Sequence, residues 1–205
     1  MTLKKLQACF PNATKDTWHE HKNGTGWVEN TAHVDETAQV SGNAMVFGNA
    51  WVFGDAKVFG DAQVSGNAKV SGNAKVSGNA QVSGNAKVFG NAWVYGDAKV
   101  SGDAMVFGNA QVSGNAKVSG NAQVSGNAWR VSPLYIQGSR YALTACKPGW
   151  IAIGCHSQSI AWWLEHGETL AQVEGFSDAE IAEYRLYVEL FEARYGVDAR
   201  EDVEA

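Results

Sequence analysis

The sequence predicts a mainly β chain, a triangular parallel β-helix built from six-residue turns and followed by a small α+β domain. Two regularities and one break predict it. Valine recurs every six residues from Val28 to Val124, seventeen times without a slip, and alanine keeps the same interval from Ala32 to Ala128. Glycine holds that spacing from Gly42 to Gly126, and each of these glycines is followed by Asn or Asp. After Ala128 the repetition stops and the composition changes.

The repeating unit reads A-x-V-[S/F/Y]-G-[N/D]. Within it, A-x-V-x alternates, so Ala and Val point to one side and the two variable residues to the other. Gly-Asn or Gly-Asp supplies a corner, because these residues accept positive φ at the least cost. Three such sides close a triangle of 18 residues. Stacked triangles pair their strands in parallel at ~4.8 Å per coil, giving a prism roughly 27 Å tall whose interior holds valine and alanine columns. The expected organisation is a lead-in over 1–27, the β-helix over 28–129 and the small domain over 130–205.

Val46-Phe47-Gly48-Asn49-Ala50-Trp51 shows an aliphatic residue followed four places later by a small one. This pattern resembles the hexapeptide-repeat family, and the resemblance covers half the chain. It implies the left-handed form of the triangular β-helix, whereas the usual crossover rule for parallel strands favours the right-handed form. Family members commonly assemble as parallel trimers. One departure is that the residue after valine, often small in the family, is Phe47, Phe53, Phe59, Phe89, Tyr95 or Phe107 here.

Residues 18 apart stack, which sorts the outward positions into three faces. The first carries Met45, Gln63, Gln81, Lys99 and Lys117, with Phe47 beside them; the second Trp51, Lys69, Lys87, Met105 and Gln123; the third Lys57, Lys75, Trp93, Gln111 and Trp129. Phe53, Phe89 and Phe107 flank the second face, and Trp93 and Tyr95 share a strand on the third. Exposed apolar area of this extent marks an interface. We therefore expect Phe53, Phe89, Trp93, Tyr95 and Phe107 to lie between the chains of a homotrimer; shielding of strand edges and ligand stacking are the alternatives. The lysine pairs Lys57/Lys75, Lys69/Lys87 and Lys99/Lys117 fall on different faces, whereas a nucleic-acid groove concentrates charge on one track. No nucleic-acid partner is expected.

Hexapeptide acyltransferases, which the repeats resemble, use a histidine general base, and gamma-class carbonic anhydrases hold a metal with histidines. Between Val34 and Ala128 the chain has no histidine or cysteine; its acids there are Asp35 and Glu36 at the start and Asp55, Asp61, Asp97 and Asp103, which stand where other units have Asn. Neither chemistry has residues to run on in the repeats, and neither cofactor nor metal is expected. His19, His21 and His33 lie close in sequence; they read as polar residues at the end of the prism, with a metal site as the alternative.

The formal net charge of −5 gives no global sign of a polyanion partner. Residues 129–205 carry twelve Asp/Glu against six Lys/Arg, so the acidity belongs to the C-terminal part. Cys9, Cys146 and Cys155 follow no zinc spacing and are odd in number. No window approaches the ~18 apolar residues of a membrane span, and no apolar run follows Lys4 and Lys5 as in a signal peptide. A cytoplasmic location is expected, in the host cell if the chain is phage-encoded.

In the last third, residues 134–137, 141–146 and 150–155 read as strands, with Lys147-Pro148-Gly149 as a turn. Ser159 can cap a helix through Ile160, Trp163 and Leu164, interrupted near Gly167. Ser177-Asp178-Ala179-Glu180 is a capping box, with Phe176 placed to staple onto Ile181. Ile181, Tyr184, Val188, Phe191 and Tyr195 then form a helical apolar stripe that Gly196 ends. Ile-Gly-Cys with a histidine after a hairpin, then a Trp-bearing helix, is similar to the tail of uncharacterised phage and prophage hexapeptide-repeat proteins. Cys155-His156 offers a nucleophile and a base, but neighbouring strand residues face opposite ways, and a buried structural cysteine is the preferred reading. Because the rod repeats itself, specific recognition is expected after Ala128, from Trp129, Arg130, Tyr135, Arg140, Trp150, His156 and Trp162. Aromatic and arginine groups suit a small anionic or nucleotide ligand; the alternative is that they glue the domain in place. The expected function is a non-enzymatic, phage-type binding or scaffold protein. A sponge for a small nucleotide signal and an acyltransferase-like enzyme are the alternatives.

Overall fold

Three columns of short parallel strands, each repeating at 18 residues, make up most of the computed structural model, which describes residues 2–126 and 132–196 and the backbone of 128 and 129. One column contains Met45–Val46, Gln63–Val64, Gln81–Val82, Lys99–Val100 and Lys117–Val118. The second contains His33–Val34, Trp51–Val52, Lys69–Val70, Lys87–Val88 and Met105–Val106. The third contains Gln39–Val40, Lys57–Val58, Lys75–Val76, Trp93–Val94 and Gln111–Val112. The chain divides into two compact units, Met1–Asn121 with Ser125–Ser132, and Ala122–Val124 with Pro133–Ala205.

The columns fill the interior with valine and alanine. Every repeat valine from Val40 to Val112 and every repeat alanine from Ala38 to Ala116 is fully buried. Each buried valine contributes about 1.5–3 kcal/mol relative to exposure. Backbone groups are satisfied between coils: the Lys75 N–H donates to the Ala92 carbonyl at 2.9 Å, the Ser77 N–H to Val94 at 2.9 Å and the Asn79 N–H to Gly96 at 2.8 Å. The first two of these bonds recur along each column and the third at most of its corners, so successive coils are joined by backbone hydrogen bonds.

Corners divide their labour between two residues. Glycine alone takes positive φ among the described residues; Asn and Asp, expected to share that role, do not. At Gly78, with φ +65°, an added Cβ would also lie 2.9 Å from the Gly96 backbone nitrogen one coil on. Asparagine instead runs side-chain ladders. Asn67 Nδ2 donates to Asn85 Oδ1 at 3.1 Å, and Asn85 to Asp103 at 2.9 Å. The Asn-to-Asp steps, 43 to 61, 79 to 97 and 85 to 103, measure 2.8–2.9 Å. The Asn-to-Asn steps measure 3.1–3.5 Å, as a charged acceptor should shorten the bond.

Two outward positions on the first face are covered. The helix Leu3–Cys9 and the strand Trp18–Glu20, antiparallel to Trp27–Glu29, close the first coil. Leu6, Ala13, Trp18 and Trp27 form a core there that includes Met45, with Leu3, Phe10 and Phe47 packed against it. Phe10 lies 5.0 Å from the Phe47 ring and 4.9 Å from Trp18. Met45 and Phe47 are therefore part of a cap that also protects an otherwise open strand edge. The three N-terminal histidines separate: His19 bonds Asn30, His21 the Ala38 carbonyl and His33 Asp35. At the far end of the third column Ala128 pairs with Gln111 and Trp129 with Val112. That coil is one residue short, so Trp129 stands in the valine register rather than beneath Gln111, as a one-residue slip requires.

The second unit holds a four-stranded antiparallel meander, Tyr135–Gln137, Ala142–Lys147, Trp150–Ile153 and His156–Ser159, then the helices Ile160–Val173 and Asp178–Tyr195. The fourth strand was not anticipated, since His-Ser-Gln-Ser carries no apolar alternation. Nor is the first helix interrupted at Gly167. A Cβ there would meet Trp163 Cε3 at 3.3 Å, so the glycine makes room for a ring rather than ending a helix. The capping box of Ser177 and Glu180 is formed.

Inward and outward positions of the coils make a direct stability test. Val76→Asp places a charge in a dry interior and should cost more than about 3 kcal/mol in urea denaturation. Ser119→Asp, on an exposed position, should stay within about 0.5 kcal/mol. Ser77→Asp should fall between, because the outward Ser77 is only 5% exposed and its Oγ accepts the Trp93 Nε1–H at 3.0 Å. Equal losses at positions 76 and 119 would contradict the orientation.

Candidate functional site

The second helix of the C-terminal unit is fastened to the first hairpin by its polar groups. Tyr184, buried on the apolar stripe, accepts the backbone N–H of Arg140 at 3.0 Å and that of Tyr141, and donates to the Tyr141 carbonyl at 2.7 Å. Gly138 leaves the space this hydroxyl needs, since a Cβ there would lie 2.6 Å from it. Tyr195 Oη accepts the Leu134 N–H at 2.9 Å. Glu183 accepts the Ser139 N–H at 2.9 Å, and the Ser139 side-chain and backbone hydrogen bonds hold its carboxyl below the usual 4.5. The backbone and side-chain hydrogen bonds of Ser177 do the same for Glu180, with Arg140 adding a smaller pull. Glu183 in turn pushes the Tyr187 hydroxyl upward.

Helix one packs on the sheet through Trp163, whose Nε1–H donates to the Ile151 carbonyl at 3.0 Å. Ser159 caps it by accepting the Trp162 N–H at 3.1 Å. Trp163, Gly167 and Leu170 recur at four- and three-residue spacing, so they share a face. That face opens on a pocket of about 490 Å³ whose apolar lining includes Ile153, Trp163, Phe176, Ile181, Tyr184 and Val188. Cys155, His156, Glu165, Glu168, Glu174 and Arg185 are its ionisable lining residues apart from Tyr141 and Tyr184.

The residues expected to bind ligand do not converge. His156 lines the pocket. Arg140 stacks on Phe176 at 4.3 Å, donates to the Gly175 carbonyl at 3.1 Å and pairs with Glu180 at 3.8 Å. It therefore holds the inter-helix turn. Trp150 carries Lys147 over its ring at 3.4 Å, and Tyr135 donates to Gln137 at 2.8 Å. Trp162 stacks on His166, centroids 5.0 Å apart. None of these four lines the pocket. Arg130 and the Trp129 side chain lie outside the described residues. Cys155 is exposed in the turn before His156, which corrects the expectation of a buried cysteine; Cys146 is the buried one, 3.2 Å from Ser157 Oγ. Ile181, Gly167, Glu165, Glu168 and Arg185 were missed as pocket residues. The signal available was the Trp163–Gly167–Leu170 spacing, with a glycine where a helix would otherwise fill space.

On the solenoid, Phe89 and Phe107 stack at 5.4 Å and an interplanar angle of 9°. Trp93 packs on Tyr95 at 4.6 Å, with Lys75 over its ring at 5.6 Å. Phe53 is half-buried, while Trp51, 46% exposed, holds His33 at 4.6 Å and Lys69 at 5.8 Å. The aromatics thus pack against one another and against lysine or histidine groups, and still leave apolar surface. No group of three or more His, Cys, Asp or Glu suited to a metal occurs among the described residues. No helix among them is long and apolar enough to cross a membrane.

The depressed carboxyls set an acid limit on the second helix. Their folded values lie below 4.5, so their contribution is fully present above pH 4.5 and is lost as pH falls through the folded values. Amide protection factors over 178–195, which take out the intrinsic pH dependence of exchange, should fall on acidification through this range. Glu183→Gln should flatten the dependence; an unchanged profile in that variant would show that Glu183 contributes nothing to it.

A family model described as the YdcK beta solenoid repeat matches residues 38–54, 62–78, 80–96, 98–114 and 110–126. Comparison with curated proteins gives no match. The matched segments coincide with the valine-bearing coils, and the parallel columns repeat at the same interval. On these two grounds the chain is a repeat β-solenoid protein.

Proposed function

We propose that the protein is a non-enzymatic binding protein, in which the solenoid is a rigid scaffold and the C-terminal unit takes a small ligand. The pocket beside Gly167 carries this reading. Its volume of about 490 Å³ falls in the range of small-molecule sites, and it combines an apolar floor with a few differing polar groups. The solenoid repeats the same Lys, Gln and Ser groups and lacks histidine from residue 34 to 128, which supports binding over acyl transfer. Cys155 is a free, exposed cysteine in the turn before His156, and no hydrogen bond between the two occurs among the described residues. A phage-type role in the host cytoplasm is part of this proposal. A nucleotide sponge is less well supported, since Arg140 is already engaged by Glu180, Gly175 and Phe176.

Thermal-shift screening of the full chain tests the pocket. A small molecule that raises the midpoint for the parent chain should fail to do so for Ala171→Trp, which fills the pocket from helix one. A ligand that stabilises both equally would place binding elsewhere.

We also propose that the protein assembles as a homotrimer through the second and third faces. The remaining exposure of Trp51 and the Phe89–Phe107 pair support it. Light scattering at micromolar concentration should return three times the 21.9 kDa chain mass, and Phe89→Ser/Phe107→Ser should lower it. A monomer mass for the parent chain would refute the assembly.

A further inference from the structure

Charge around the pocket selects the kind of ligand. Glu165, Glu168 and Glu174 line it against a single arginine, Arg185. That arginine is already shared by two carboxylates, Glu168 at 3.7 Å and Glu189 at 3.2 Å. The floor adds the rings of Trp163, Phe176 and Tyr184, whose faces attract cations. Phe176 shows this with a protein group, holding the Arg140 guanidinium 4.3 Å from its centroid. Arg140, the cation best placed in the sequence to receive an anion, is occupied by Gly175, Glu180 and Phe176 and does not line the pocket.

We infer that the pocket binds a hydrophobic monocation: an amine or ammonium compound with an aromatic or alkyl body. This rests on the proposed small-molecule site and adds the sign of the ligand's charge. The apolar body occupies the floor between Trp163 and Val188, while the ammonium group stays among the glutamates at the rim. An anion of the same shape would face a lining whose three carboxylates outnumber its one arginine, which is unfavourable at short range.

Calorimetry of the full chain with 4-phenylbutylammonium, 4-phenylbutanol and 4-phenylbutyrate separates the two levels of the argument. The ammonium probe should bind at least about tenfold more tightly than the alcohol, and the carboxylate most weakly. Glu165→Gln/Glu168→Gln should remove most of that preference while leaving alcohol binding in place. Ala171→Trp should abolish binding of all three. If the alcohol or carboxylate binds as tightly as the ammonium and is lost in Ala171→Trp, the pocket stands and the charge assignment is overturned. A preference that survives in the double glutamine variant also overturns it. If none of the three probes binds, the pocket itself is refuted as a site for such molecules.

Discussion

The distance between glycine backbones on successive coils governs the solenoid. A Cβ at Gly78 would sit 2.9 Å from Gly96 N, and at Gly102 3.0 Å from Gly120 N. The corners therefore favour glycine twice over, for positive φ and for a close approach that would crowd a Cβ against the next coil at most corners. That approach brings the strands to hydrogen-bonding distance, with Lys75 N to Ala92 O and Ser77 N to Val94 O both at 2.9 Å. It also fixes the narrow interior, which valine and alanine fill. Valine columns, alanine columns and backbone ladders are consequences of one repeated contact.

The same stacking constrains the neighbouring position. Asn or Asp beside each corner glycine lies directly over its counterpart 18 residues away, so two aspartates in succession would place like charges side by side. None does so. One ladder reads Asn43, Asp61, Asn79, Asp97, Asn115, and each aspartate accepts an amide from the coil before it. Aspartate cannot donate onward, so it ends a ladder segment and the next asparagine begins another. Turn propensity alone would not order the two residues in this way.

The C-terminal unit is built on a different principle, with individual side chains in place of a repeat. Tyr184 satisfies three backbone groups of the hairpin around Tyr141, and Gly138 gives its hydroxyl room. Arg140 closes the turn between the helices across Phe176. The pocket lies beside these fastenings, lined by Trp163 and Gly167 of one helix and by Ile181, Tyr184 and Val188 of the other. Acidic side chains along it follow from the composition of this part of the chain, which carries twice as many acids as bases.

Period and residue type determined the solenoid from the sequence alone. The six-residue recurrence of valine, alanine and glycine fixed which residues point inward and which stack at 18-residue intervals. The capping box at Ser177 and the stripe from Ile181 to Tyr195 were legible for the same reason, since local hydrogen bonding and helical spacing need no distant partner. Burial of Met45 and Phe47, the short last coil at Trp129 and the roles of Arg140 and Gly167 were decided only by tertiary structure. The first and third of these depend on what a remote segment brings, Phe10 over Phe47 and Phe176 under Arg140, while Gly167 meets Trp163 of its own helix in a contact that spacing alone does not reveal. A repeating sequence carries its own neighbours at a known interval, whereas an aperiodic one leaves its neighbours to the packing of the folded chain.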